Sequence, residues 1–164
     1  MKNQKIFIII LAIGLLITGC TQNNDVTNHS SEQTDYGKYP ITYVFDNSQF
    51  VSIIEGEVLP VEIRHGLGGE GGYEQWSSRD SEMIDQYIDV LRGLEIKREI
   101  TDKNEFVNVA DAINDYIFCL DDGTEILISM DLNAYVKKDD KQYEFKYSDA
   151  LHALNKELSL SDEG

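Results

Sequence analysis

Two alternating apolar runs on either side of an Asp-Gly turn constrain this chain most. Tyr116-Ile117-Phe118-Cys119-Leu120 leads into Asp121-Asp122-Gly123, and Thr124 to Met130 then carries Ile126, Ile128 and Met130 at every second position. A period of two puts those three side chains on one face of a strand. Asp-Gly between such runs reverses the chain, because glycine accepts the positive φ that a tight hairpin demands. The pattern predicts a hairpin over Asp115–Met130. A second is predicted over Lys138-Asp139-Asp140-Lys141, joining Ala134–Val136 to Gln142–Lys146.

Weaker signals flank these hairpins. Ile41–Phe45 and Phe50–Ile54 are rich in β-formers around Asp46-Asn47-Ser48, and read as two strands and a turn. Val58–Arg64 reads as a third strand, placed at an edge because Pro60 has no N–H to give a ladder. Gly66-Leu67-Gly68-Gly69-Glu70-Gly71-Gly72 reads as a loop. Ser77–Asp80 offers N-caps to a helix carrying Ile84, Ile88 and Leu91, with Gly93 as its stop. Leu94–Ile100 alternates as a strand with Leu94, Ile96 and Ile100 inward. Phe106, Val109 and Ile113 fit a short helix, but Val and Asn leave residues 103–113 open. A last helix from Ser148 gathers Leu151, Leu154 and Leu158 on one face. This order predicts an α+β fold, a mostly antiparallel sheet with two helices packed on one side. The 164 residues leave room for one core, expected over residues 40–160.

The N-terminus reads as an address. Lys2 and Lys5 precede a charge-free run from Ile6 to Ile17, shorter than the roughly 20 apolar residues of a comfortable bilayer span. Its layout is that of a signal peptide, with the lysines held on the cytoplasmic side. The run ends in Ile17-Thr18-Gly19-Cys20. These residues resemble a bacterial lipobox, with Ile17 where leucine is commoner. The resemblance implies a signal peptide over 1–19, cleavage before Cys20, diacylglyceryl transfer to its thiol, and attachment to the outer face of the cell membrane. The alternative is an uncleaved anchor with an incidental cysteine. Thr21–Tyr39 is polar and nearly free of aliphatics, so residues 20–39 read as a lipidated cysteine and a flexible tether. From Ile41 onward the layout is similar to small extracytoplasmic lipoproteins of Gram-positive bacteria.

Composition limits the partners. Thirty acidic residues against 14 basic ones leave a net charge of −16. Nucleic acid is therefore not an expected partner, since binding it needs cations to displace counterions. Removing Lys2 and Lys5 with a signal peptide makes the balance more negative still. Such a domain is repelled by anionic head groups and wall polymers.

No motif commits the chain to a reaction. The glycine run contains G-x-G-x-x-G, but Tyr73-Glu74-Gln75-Trp76 follows it instead of a helix start, and Glu70 and Glu74 would repel a phosphate. It reads as a plain connection or as a ligand lid flanked by Tyr73 and Trp76, whose rings offer stacking surfaces. His65, beside it, is the one histidine kept as a site candidate; His29 lies in the tether and His152 stands alone. Cys119, mid-strand between Phe118 and Leu120, reads as a small buried hydrophobe. The acidic turns at Asp121–Gly123 and Asp139-Asp140 match no calcium loop and are explained by turn chemistry. No catalytic residue, metal or cofactor is expected. The ligand-binding candidates are His65, Glu70, Tyr73 and Trp76. The expected function is a non-enzymatic binding module with the membrane, through Cys20, and an extracytoplasmic protein or cell-wall component as partners. The alternative is a cell-surface hydrolase using His65 or Glu70.

Overall fold

The computed structural model describes residues 39–69, 71–107, 113–131, 134–146 and 148–161. Those residues form α1 (Ser48–Glu55), β1 (Glu62–Gly69), β2 (Gly72–Ser78), α2 (Ser81–Arg92), β3 (Ile96–Ile100), β4 (Ile113–Cys119), β5 (Glu125–Asp131), β6 (Tyr135–Lys138), β7 (Lys141–Phe145) and α3 (Asp149–Ser161). The fold is α+β, as the sequence predicts. The strands make two antiparallel sheets where one was expected, in the orders β2-β1-β4-β5 and β3-β7-β6. The helices number three among the described residues, because one expected hairpin is helical.

That helix is α1. Asn47 is its N-cap, accepting hydrogen bonds from the N–H groups of Gln49 and Phe50 at 2.9 and 3.4 Å. Gly56 ends it in the left-handed conformation with φ of 79°. The turn signal Asp46-Asn47-Ser48 is thus a helix start. Phe50, Ile53 and Ile54 are buried together, the i, i+3, i+4 spacing of a helix face. Ile41–Tyr43 is a 3-10 turn rather than a strand, burying Ile41 and, three residues on, Val44. A five-residue apolar run satisfies either period, and burial of these side chains decides for the helix.

The second difference concerns the glycine run. Residues 66–69 continue β1, and Gly72 opens β2, with Gly69 paired to Gly72. The segment is a β-hairpin, not a loop. Pro60 lies before β1, so β1 keeps its full ladder and sits centrally between β2 and β4 instead of at an edge.

The two predicted hairpins form. Phe118 faces Ile126, Tyr116 faces Ile128 and Asn114 faces Met130, with Gly123 at φ of 85° in the turn. In the second, Lys138 faces Lys141 across Asp139, which takes φ of 54°. Asp80 caps α2 through Glu82 N–H, and Gly93 follows its last turn. In the open segment Lys103–Glu105 is a 3-10 turn and Ile113 begins β4; Val109 lies outside the described residues.

One buried cluster joins Phe50 and Ile53 of α1, Tyr87 and Leu91 of α2, Leu154 and Leu158 of α3, and the inward residues Ile63, Phe118, Ile126 and Ile128 of the four-stranded sheet. The opposite face of that sheet carries Tyr73, Gln75, Arg64, Asp115, Leu127 and Ser129, and is open to water. An antiparallel sheet tolerates this arrangement because its two faces alternate in sequence. Among the described residues, no helix is long and apolar enough to cross a membrane.

Candidate functional site

A cleft of about 80 Å³ lies between α3 and the inward face of β4 and β5. Strand periodicity places Asn114 and Tyr116, two residues apart, on that face. Ser148 directly precedes α3, its Oγ accepting from Leu151 N–H at 3.2 Å, and the first turns of the helix bring Leu151, His152 and Asn155 over the opening. Leu94, Met130 and Phe145 line the apolar side.

A chain of hydrogen bonds fixes the polar wall. Tyr87 Oη donates to Asn155 Oδ1 at 3.1 Å, and Asn155 Nδ2 donates to Tyr116 Oη at 3.0 Å. Burial pushes the Tyr116 phenol up to about 12 and the Tyr87 phenol further, so both stay protonated. His65 stands behind this wall. Its ring stacks on Tyr116 at 5.3 Å and on Trp76 at 5.7 Å between centroids. Its Nε2 donates to Asn114 Oδ1 at 2.9 Å, which leaves Nδ1 as a buried acceptor with no partner. Burial lowers the His65 pKa against the opposing pulls of Asn114 and Asp115, so the imidazole is neutral. The charged lining of the cleft is engaged: Lys146 pairs with Glu95, and Asp131 Oδ1 accepts from Tyr135 N–H at 2.5 Å.

The structure brings His65 and Trp76 together, directly opposite each other on β1 and β2. Tyr73 is separated from them. It lies three residues from Trp76 on one strand, an odd spacing that sends the two rings to opposite faces. No single Tyr73–Trp76 surface exists. Tyr73 is exposed on the outer face, and its ring lies over Gly66 and Gly68, where a Cβ at Gly66 would overlap its Oη and Cζ. Its Oη donates to Asp115 Oδ2 at 3.2 Å, while Ser129 Oγ donates to Asp115 Oδ1 at 2.5 Å. Gly66 and Gly68, the first two glycines of the G-x-G-x-x-G pattern, thus form a seat for a tyrosine. Glu70 and Cys20 lie outside the described residues.

Other candidates are spent on structure. Cys119 is buried, and that burial pushes its thiol up, away from the nucleophilic thiolate. Glu62, beside it, is held by Arg64 at 2.6 Å and Arg79 at 2.9 Å, which lower its carboxyl below the ordinary range. Asp122 accepts from Thr124 N–H at 2.8 Å within its turn, and Asp140 pairs with Lys103. Among the described residues, no three His, Cys, Asp or Glu side chains are grouped to hold a metal ion.

Sequence reasoning overlooks Asn114, Tyr116 and Asn155. Asn155 carried a signal, since it follows Leu151 by four residues and so interrupts the apolar stripe of α3 with an amide. Asn114 is likewise a polar residue on the inward period of β4. The arrangement can bind a ligand through fixed amides and hydroxyls, but neither ring nitrogen of His65 meets a hydroxyl or thiol that it could activate. In comparisons with protein families, curated protein sequences and solved structures, nothing matches the chain.

Proposed function

We propose that this protein is a lipid-anchored binding domain on the outer face of the cell membrane. The address rests on Lys2, Lys5, the uncharged run to Ile17, and Gly19-Cys20. Two acyl chains on Cys20 would hold it there stably, where one chain is marginal. The binding role rests on one observation: the cleft beneath α3 presents pre-positioned amides and hydroxyls over apolar side chains. Such sites are mostly apolar with a few polar groups that orient the ligand. The hydrolase reading draws no support from His65, whose neutral ring is spent on Asn114.

The test has two parts. Metabolic labelling with a palmitate analogue, followed by membrane fractionation, should mark the wild-type chain and not Cys20→Ala. Crosslinking in cells and affinity capture should then enrich a protein or wall fragment with the anchored form. An unlabelled chain that still sediments with membranes would overturn lipidation of Cys20 in favour of an uncleaved anchor. Wall-substrate turnover by the folded protein, abolished by His65→Ala, would replace binding with hydrolysis.

A further inference from the structure

The lining of the cleft restricts what can occupy it. Asn114 and Asn155 are amides, and Tyr116 and Ser148 are hydroxyls, all able both to donate and to accept hydrogen bonds. Tyr116 Oη accepts from Asn155, and its own hydrogen goes to no side chain among the described residues. An anion entering the cleft would find its lysine, Lys146, already paired with Glu95, Asp131 beside it, and as its other basic side chain the solvent-exposed His152, in a chain of net charge −16. Desolvating a charge without a free counter-charge is costly. A hydroxyl has the same two-way character as the wall and brings no charge to desolvate. Leu94, Met130 and Phe145 offer apolar contact for carbon.

We infer that the cleft binds a neutral vicinal diol, carried by a free polyol or by the edge of a sugar ring. One hydroxyl accepts from Tyr116 Oη, its neighbour pairs with the amide of Asn114 or with Ser148, and the C–H groups lie on Met130 and Phe145. A volume of about 80 Å³ admits a short polyol or one edge of a ring, not a whole oligosaccharide. The inference rests on the binding reading above and names its ligand class.

Trp76 is the chain's one tryptophan, and it stacks on His65, which stacks on Tyr116 at the cleft wall. Its emission is therefore expected to change on occupancy, and calorimetry on the same samples reads binding independently. The full-length protein, in a detergent without sugar, is titrated with glycerol, methyl glucoside, glycerate and glucuronate. A saturable response to glycerol or methyl glucoside is expected, at least tenfold tighter than to the carboxylate counterpart. Glycerol alone identifies a free polyol as the source, and methyl glucoside alone a sugar edge. Tyr116→Phe, which keeps the ring, should weaken binding at least fivefold. His152 lines the opening and is exposed, so His152→Ala, which removes one wall of the entrance and leaves the core intact, should weaken it at least twofold. Failure of both neutral compounds by both readouts, equal binding of the carboxylates, or unchanged binding in both variants would overturn the inference. A captured protein partner with no diol bound overturns the ligand class alone and leaves the binding domain standing.

Discussion

His65 is neutral at a position where a cation would be buried between two rings with an unpartnered nitrogen. Its pKa when folded lies below the ordinary 6.5 because burial disfavours the imidazolium. The unfolded chain therefore takes up the proton first. The contribution to stability is complete above about pH 6.5 and is lost as pH falls from there through the folded value. The thermal midpoint should drop on acidification within that window, and His65→Phe should flatten the drop; an undiminished slope in the variant would assign it to other groups. Glu62 and Glu144 act lower. Burial pushes Glu144 up, but Lys97 and Arg98 outweigh it, so both carboxyls titrate below the ordinary 4.5. Their contribution is present above 4.5 and is lost as pH falls through their folded values. Gly66 makes a second residue-scale case. Gly66→Ala must push aside the end of the Tyr73 side chain and break its bond to Asp115, worth about 0.5–1.5 kcal/mol. Alanine in a strand recovers about 0.5–1 kcal/mol over glycine. Denaturant unfolding should show a net change within about 1 kcal/mol, and a much larger loss would show that more than the Tyr73 seat depends on Gly66.

At the scale of elements, capping chemistry separates the helices that sequence finds from the one it misses. Asp80 before α2 precedes twelve residues with a clear 3.6 period, and both signals agree. Asn47 before α1 precedes only eight residues, five of which also satisfy a strand. Asn47→Ala should cost about 1 kcal/mol, read as a lower urea midpoint with an unchanged slope, because two N–H groups lose their acceptor. No loss would mean that packing of Phe50, Ile53 and Ile54 alone holds α1. The hairpins β4–β5 and β6–β7 were legible because alternation and turn residues coincide there. The β1–β2 hairpin was not, because its glycine run resembles a loop until the Tyr73 ring that covers Gly66 and Gly68 is in place. Leu158→Ala tests whether α3 belongs to the core that shapes the cleft. Leu158 is fully buried, so a loss of about 2–5 kcal/mol is expected in chemical denaturation.

At the scale of the whole molecule, the charge and the proposed anchor act in opposite senses. A net charge of −16 gives anionic lipids nothing to attract, so acyl chains on Cys20 would have to supply the whole membrane affinity. Cys20→Ala should move the protein to the soluble fraction, and high salt should leave the wild type on the membrane; release by salt would show an electrostatic contribution instead. Sequence by itself determined the α+β class, the two hairpins at Asp-Gly and Asp-Asp, and the α2 and α3 helices. These are local matters of period, turn chemistry and caps, written in contiguous residues. Tertiary structure decided that Phe50–Ile54 is helical, that β1 is central, and that His65 meets Trp76 while Tyr73 faces the other way. It also decided that Tyr116 and Asn155 are hydrogen-bonded to each other across two elements and share one cleft lining with Asn114, which His65 holds. Those outcomes depend on which surfaces exclude water together, and burial between residues far apart in sequence leaves no periodic trace in any one segment.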